Sequence, residues 1–352
     1  MRGRTFLPAA LVILVSFPIV ALSAAQKPIT FAELALYKGA DRQKILVEGA
    51  KKEGKLTLYT SAHETQAVRP LIQAFEKKYP FLKVHSWRGE TKAMFSRISE
   101  EYGANQHVVD VVEGTEGTHM LLQKANLVQP YYSPELAKID PESITMAPNG
   151  GALAASTRAS GIGVGYNTKL IKPNQLPKSY QDLLDPKWKD KLVIAGSSTG
   201  TSWCWLMYKM YGEDFVRRLA KQNISVQMVS ARSLMDLIIA GEYAFSPTSF
   251  DSHVVESKKS GAPVEWIPTE PVHVNLGQIA LPKDPPSPYA ALLLADFELA
   301  KVNGEILKRA GYQSFRKDVT PLTRPYKKFY GVESTDELKK SNDLFNELFL
   351  KK

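Results

Sequence analysis

The chain has 352 residues, a formal net charge of +9 and a hydrophobic fraction of 44%. This length and apolar content suffice for two domains with sizeable cores. Cys204 is the one cysteine, so an internal disulfide framework is excluded, and its position between Trp203 and Trp205 predicts a buried, unreactive thiol.

The N-terminal segment, residues 1–25, has the pattern of a cleaved secretory signal peptide. Arg2 and Arg4 precede an apolar run from Phe6 to Val20, and small residues follow, so we expect cleavage between Ser23 and Gln26. The alternative is a membrane anchor, but the run is shorter than the roughly 20 residues that a bilayer needs. We therefore expect a soluble, exported protein that works in the periplasm.

The basic charge does not by itself indicate a nucleic-acid partner. Two of the positive charges belong to the signal segment, and the lysines elsewhere occur in short, scattered pairs. Such pairs are typical of solvated helix faces rather than of a polybasic arm. We expect no nucleic acid among the partners.

The first half of the chain alternates short strand-like runs with longer helical patterns. The predicted elements are a strand at 55–59, a helix at 64–78, a strand at 82–87, a helix at 91–102, a strand at 108–112 and a helix at 118–124. This alternation predicts an α/β fold with parallel βαβ units.

A second block repeats the theme after a Gly-, Ser- and Ala-rich stretch at 154–166, which we interpret as an extended crossing between lobes rather than a core element. The predicted elements are strands at 192–195, 225–229, 243–246 and 272–281, and helices at 202–211, 234–240 and 290–301. No fixed-period repeat interrupts the pattern.

Ligands of open α/β sheets bind outside the carboxyl ends of the strands. Four predicted loops at such ends are small and polar, as a cleft lining would be: Thr60–Glu64, Glu113–Glu116, Gly196–Ser202 and Pro247–His253. Two lobes joined by crossings would place all four around one groove.

Several motifs in order resemble the solute-binding proteins of bacterial ABC importers. The segment Leu176–Leu192 (LPKSYQDLLDPKWKDKL) carries the strongest resemblance, and Gly165–Leu170 precedes it. Further similar segments are Tyr59–Pro80, Trp87–Glu90, Ala240–Glu242 and Pro285–Ala300. The branch that the chain resembles most is the ferric-iron type.

The resemblance implies a two-lobed, type II periplasmic-binding-protein fold, with a mostly parallel sheet in each lobe and the ligand cleft between them. We expect residues 26–155 and 272–318 in one lobe, and residues 156–271 and 319–352 in the other. The implied partners are a small-molecule or metal-ion ligand and an inner-membrane ABC permease. A monomer and no resident cofactor are expected.

Ferric-type members coordinate iron with a His, a Glu and two adjacent Tyr. His63 matches the first ligand, and Glu116, or else Glu113, matches the second, but no tyrosine follows Ala240–Glu242 where the pair is expected. With Asp251, these residues would form a weaker mixed site, because Fe(III) favours hard oxygen ligands such as phenolate. Ferric iron as the transported ligand therefore stays an alternative.

The other interpretation is an anion site at the start of a helix, where main-chain N–H groups and the helix dipole favour negative charge. In this interpretation Ser197, Ser198, Thr199 and Thr201 hold the ligand on the second lobe, and His63 and Glu116 meet it from the first. The further ligand-binding candidates are Arg88 and Arg158 as cationic partners, and Ser249 and Asp251. Simple helix capping by Ser or Thr is the structural alternative.

A secreted hydrolase is the rival of another class. Glu113 or Glu116 with His63, or Thr248 with Asp251 and His253, could suggest one. No nucleophile elbow, zinc spacing or phosphate-loop motif accompanies them, so we predict that the protein is not an enzyme.

Overall fold

The computed structural model describes residues 30–148, 150–321, 326–329 and 335–351. The predicted signal peptide lies outside these residues. The α-helices are α1 (Phe31–Leu36), α2 (Arg42–Glu53), α3 (Arg69–Lys78), α4 (Thr91–Gly103), α5 (Glu116–Lys124), α6 (Ser198–Ala220), α7 (Ala231–Ala240), α8 (Asp251–Lys259), α9 (Pro288–Leu299), α10 (Lys301–Arg309) and α11 (Thr335–Phe345). Single π-helical turns lie at Glu64–Val68 and Asn346–Leu350, and 3-10 turns at Pro134–Lys138, Pro141–Ser143, Pro173–Gln175, Gln181–Leu184 and Pro186–Trp188.

The strands form a large mixed sheet and a smaller parallel pair. They are β1 (Lys55–Thr60), β2 (Lys83–Arg88), β3 (Val111–Thr115), β4 (Val128–Gln129), β5 (Ile144–Met146), β6 (Ala152–Asn167), β7 (Val193–Ala195), β8 (Ser225–Gln227), β9 (Phe245–Phe250), β10 (Val264–Ile267), β11 (Val272–Pro282), β12 (Gln313–Ser314) and β13 (Lys328–Phe329). The backbone order of the large sheet is β10-β6-β11-β3-β1-β2, and β7 pairs with β8. The predicted α/β class is confirmed.

The first three strands form the predicted parallel unit. β1 lies between β2 and β3 and is parallel to both, so that Tyr59 is opposite Trp87 on one side and Val112 on the other. Leu56 and Leu58 of β1 are fully buried in the core. Because the strands are parallel, their carboxyl ends at Thr60, Arg88 and Thr115 share one edge of the sheet.

The prediction that 154–166 is not a core element is wrong. This stretch forms most of β6, which is buried along nearly its whole length and pairs with β5, β9, β10, β11 and β12. Its small residues allow that crowding: a Cβ at Gly163 would lie 2.6 Å from the Trp266 ring, and one at Gly165 would lie 2.5 Å from Ser249 Cβ. Sequence reasoning mistook small side chains for a loop.

Two further predicted loops belong to regular structure. α6 begins at Ser198, so only Gly196 and Ser197 of the Gly196–Ser202 segment precede the helix, and Gly200 packs so closely that a Cβ there would collide with the Ala195 carbonyl. β9 extends to Phe250 and α8 starts at once, which leaves no loop at 247–253. Both errors arise because Ser, Thr and Gly are common in loops.

Apolar side chains gather mainly into two clusters. The largest draws on residues 34–159 and 272–315, and the next on residues 162–250 and 344–349. β6 passes from the first cluster at Ala159 to the second at Ile162. Within the part of the chain described, no helix is both long enough and apolar enough to cross a bilayer.

Candidate functional site

A histidine and an arginine lie at the carboxyl ends of β1 and β2. His63 follows β1 by three residues and directly precedes the π-helical turn, with an extended backbone. Arg88 is the last residue of β2, and its Nε donates to the Ala62 carbonyl at 3.0 Å. This bond connects the exposed Arg88 to the loop that carries His63. No ion pair involves Arg88 within the ranges that the structure describes.

Below this loop lies a buried ion pair. Arg158 of β6 donates from Nε to Glu113 Oε1 at 2.9 Å and from Nη2 to Ser61 Oγ at 2.9 Å. Glu113 also accepts from Thr60 Oγ1 at 2.6 Å and from the Ser61 main-chain N–H at 3.2 Å. The guanidinium lies over the Tyr312 ring, 5.0 Å from its centre. Glu113, fully engaged in this way, is not a free metal ligand or catalytic base.

The second half of the chain brings another histidine to the same place. His253, in the first turn of α8, meets His63 edge to face with ring centres 5.5 Å apart. Arg232 of α7 donates from Nη1 to the His253 carbonyl at 3.2 Å and to Ser257 Oγ at 2.9 Å. Its other partners are the carboxylates of Asp236 and Glu256. Elements from both core clusters thus converge on one cationic site.

The electrostatics of this site oppose any further positive charge. The pKa of His63 is lowered to about 4, mainly by burial and in part by the positive charges of Arg88, Arg158 and Arg232. Burial lowers the pKa of His253 to about 3, assisted by His63 and Arg232. Both imidazoles are therefore neutral at pH 7 and offer one N–H each.

The lowered pKa of His253 predicts that the folded protein becomes less stable in acid. The unfolded chain takes up a proton near pH 6.5 and the folded site does not, so the free energy of unfolding must fall as the pH falls toward 3. Relative to His253→Gln, we expect the wild type to lose about 2–3 kcal/mol more between about pH 6.5 and pH 4.5. Urea unfolding across this range measures it; exposed His85→Gln is the matched control, and parallel curves for wild type and His253→Gln would contradict the assignment.

Glu116 begins α5, and burial alone raises its pKa to about 7. Its neighbour Thr115 caps the helix and bonds to Thr91 Oγ1 at 2.6 Å, which joins the starts of α4 and α5. The role of Glu116 as a ligand stays a prediction. Within the described ranges, no group of three or more His, Cys, Asp or Glu side chains could hold a metal ion.

The residues at the start of α6 that are predicted to bind an anion differ in their exposure to solvent. Ser198 is exposed, whereas Thr199 and Thr201 are buried inside the first turns of the helix. Ser197 Oγ has no hydrogen-bond partner among the described residues and makes no capping bond. The Gly196 N–H donates to the Gln227 carbonyl, and the Thr201 carbonyl accepts from Ser341, so this turn is fixed by β8 and α11. A role in ligand binding stays a prediction for all four residues.

Asp251 and Ser249 lie among internal partners. Asp251 is 2% exposed and accepts from Ser160 Oγ, the Gly161 N–H and Gln313, at 2.9, 2.9 and 3.0 Å. Ser249 is also buried, and its hydroxyl donates to the Ser246 carbonyl at 3.3 Å. The geometry gives both a structural role, and ligand binding by either stays a prediction without support from these contacts.

Sequence reasoning missed Arg232 and did not include His253 among the ligand residues. A signal for both was present, because each lies in the first turn of a helix directly after a strand of the second block. Extending the search for arginine and histidine to the helices that follow β8 and β9 would have found both.

Comparison with known proteins places the chain among solute-binding proteins. Residues 107–329 match the model of the bacterial extracellular solute-binding protein family. An uncharacterized protein of Haemophilus influenzae is 26% identical over 274 residues, which cover 74% of this chain and 78% of that protein.

Three similar solved structures share the fold. Iron-bound HitA from Pseudomonas aeruginosa is 20% identical, with a TM-score of 0.69 over 84% of this chain and 99% of that one. AfuA from Actinobacillus pleuropneumoniae with fructose-6-phosphate is 24% identical, with a TM-score of 0.69 over 85% and 100%. The ferric binding protein from Campylobacter jejuni is 18% identical, with a TM-score of 0.70 over 83% and 99%. The fold is that of the type II periplasmic binding proteins, and the chain belongs to the bacterial extracellular solute-binding protein family.

Proposed function

We propose that this protein is the periplasmic, substrate-binding component of an ABC importer and that its solute is a small anion. In this proposal residues 26–155 and 272–318 form one lobe and residues 156–271 and 319–352 the other, after removal of the signal peptide. The protein acts as a monomer that delivers its solute to an inner-membrane permease. It has no catalytic step and needs no resident cofactor.

The observation that carries the proposal is the cationic cluster between the two halves of the chain. Arg88 and His63 come from the β1–β2 edge, and Arg232 and His253 come from α7 and α8. An anion between them would be the carboxylate-like partner of Arg88, which forms no ion pair among the described residues, and would accept charge-assisted or neutral hydrogen bonds from the nearby guanidinium and imidazole groups. Because it would contact both halves, it would stabilise their closed arrangement over an open one.

The same cluster disfavours direct binding of ferric iron. A metal cation beside His63 would face the charges that already lower the pKa of that imidazole. The iron and fructose-6-phosphate named for similar structures show that one fold serves both kinds of solute. The ligand must therefore be argued from the side chains, and here these favour an anion.

Native mass spectrometry of the protein from its own periplasm tests the solute directly. We expect an organic or oxyanion adduct that is lost on denaturation, with one equivalent per chain. An acid-labile iron adduct would show that the solute is ferric iron and not an anion. Turnover of the released compound by fresh protein would support the hydrolase instead.

Substitution of the cluster arginines tests the site. We expect Arg88→Gln and Arg232→Gln each to weaken binding of the co-purified anion by tenfold or more, as the loss of about 1.5–3 kcal/mol for a charged hydrogen bond implies. Exposed Arg218→Gln, in the last turns of α6, is the matched control. Isothermal titration of the stripped proteins measures the affinities, and equal affinities for all three variants would exclude this site.

A further inference from the structure

An internal cavity lies in the first half of the molecule, between the β1–β3 strands and helices α3, α9 and α10. It shares two residues, Glu113 and Arg158, with the site described above. Glu298 of α9 and Asn303 of α10 complete its polar wall. The other lining residues are Thr60, Ala62, Ala67, Val68, Leu71, Thr157 and Leu307.

Two oxygens on this wall have no partner among the described residues. Glu298 is 4% exposed and Asn303 is fully buried, yet Glu298 Oε1 and Asn303 Oδ1 accept no hydrogen bond. Their other atoms are satisfied, since Asn303 Nδ2 donates to the Glu298 carbonyl at 2.8 Å and to Glu298 Oε2 at 3.1 Å. Buried polar atoms are rarely left unpaired, and polar cavities usually hold ordered water.

The charge of Glu298 is coupled to the ion pair above it. The pKa of Glu298 is raised to about 8. Burial is the main cause, the negative charge of Glu113 adds to it, and the positive charge of Arg158 acts in the opposite direction. Tyr131 also experiences the charge of Glu298, and Arg316 donates from Nη1 to the carbonyl of the adjacent Leu299, while α3 contributes the apolar Leu71 to the cavity. A neutral Glu298 leaves Glu113 as the single carboxylate that Arg158 must balance.

We infer that Glu298 is a positioning residue for Arg158: as a neutral acid it shares an ordered water with Asn303, and so leaves the guanidinium on Glu113 and Ser61 beside the solute site. When Glu298 loses its proton, the cavity wall carries a second negative charge, which draws Arg158 away from Glu113. Anion binding then weakens at alkaline pH, because this added negative charge lies close to the proposed solute site. The effect on binding rests on the proposed function, whereas the water and the position of Arg158 do not.

Crystal structures of the wild type at about pH 6.5 and pH 9.5 test the inference without any ligand. We expect a water within hydrogen-bond distance of Glu298 Oε1 and Asn303 Oδ1, and a shift of Arg158 toward Glu298 at the higher pH only. Glu298→Gln, which has the same shape and cannot ionise, should hold Arg158 on Glu113 at both values. A dry cavity, or an Arg158 that keeps the same contacts throughout, would overturn the inference.

Sulfate titration extends the test to binding, because sulfate keeps its charge over this range. We expect the affinity of the wild type for sulfate to fall at least tenfold more than that of Glu298→Gln between the two pH values. Equal falls would overturn the link from Glu298 to the site. Absence of sulfate binding at either pH would count against the proposed anion site, while the crystal structures would still decide the role of Glu298.

Discussion

Replacing Arg158 by Met should destabilise the protein by about 3–5 kcal/mol, because it leaves a buried charge without its partner. Glu113 is 3% exposed, and without Arg158 its remaining donors are the Thr60 hydroxyl and the Ser61 main-chain N–H. The change also removes the guanidinium from Ser61 and from the Tyr312 ring. Denaturant unfolding at pH 7 measures the loss.

A double-mutant cycle separates the ion pair from packing. Glu113→Gln alone should cost a similar amount, since it leaves a buried cation, but Glu113→Gln with Arg158→Met should cost much less than the sum. The exposed pair Lys339–Asp343 is the control, and Lys339→Met should cost under about 1 kcal/mol. Additive losses at Glu113 and Arg158 would show that the two charges do not depend on each other.

This buried pair also bears on the proposed solute site. With Glu113 occupied by Arg158, the groups proposed to meet an incoming anion are Arg88, His63, His253 and Arg232. The two histidines are neutral at pH 7 and would contribute hydrogen bonds, and the arginines would contribute charge. In this proposal the anion would be released readily, because Arg158 and Arg232 are already paired with carboxylates of the protein.

The sequence permitted accurate prediction of the parallel strands of the first half. The run KLTLY forms β1, and the helix predicted after it occurs, although its first five residues form a π-helical turn at Glu64–Val68. β3 lies three residues later than predicted, because Val108 to Asp110 precede the strand proper. Strong local apolar patterns determine such elements, whereas their exact ends depend on tertiary hydrogen bonds.

Prediction from the sequence was poorer where contacts between distant residues determine the structure. Nothing local in 154–166 shows that five strands will pair with it, since small residues suit a crowded strand and a loop equally well. The same holds for the site: the sequence indicates that His63, Arg88 and Arg158 are candidates, but the approach of His253 to His63 requires the whole fold. The separation of 190 positions between these histidines could not be bridged without structure or an alignment.

Asp251 marks the place where β6 passes from one apolar cluster to the other. It accepts from Ser160 and Gly161, which lie between Ala159 of the first cluster and Ile162 of the second, and from Gln313 of β12. These bonds hold a carboxylate at the crossing between the proposed lobes.

We expect Asp251→Ala to destabilise the protein by about 3–5 kcal/mol, because each lost bond to a charged group is worth about 1.5–3 kcal/mol and buried donors are left unpaired. Asp251→Asn should cost only about 1–2 kcal/mol, since Ser160, Gly161 and Ser252 all donate to one oxygen, Oδ1, which the amide retains. Denaturant unfolding measures both changes.

Comparing Asp251→Ala with Asp251→Asn separates the loss of hydrogen bonds from the loss of the negative charge. Exposed Asp214→Ala on α6 is the control and should change the free energy of unfolding by less than about 0.5 kcal/mol. If Asp251→Asn is as damaging as Asp251→Ala, the negative charge itself holds the crossing, and the second oxygen facing Gln313 is the more important acceptor. If both are mild, the crossing is fixed by strand pairing of β6 and β11, and Asp251 becomes available again as a ligand of the solute.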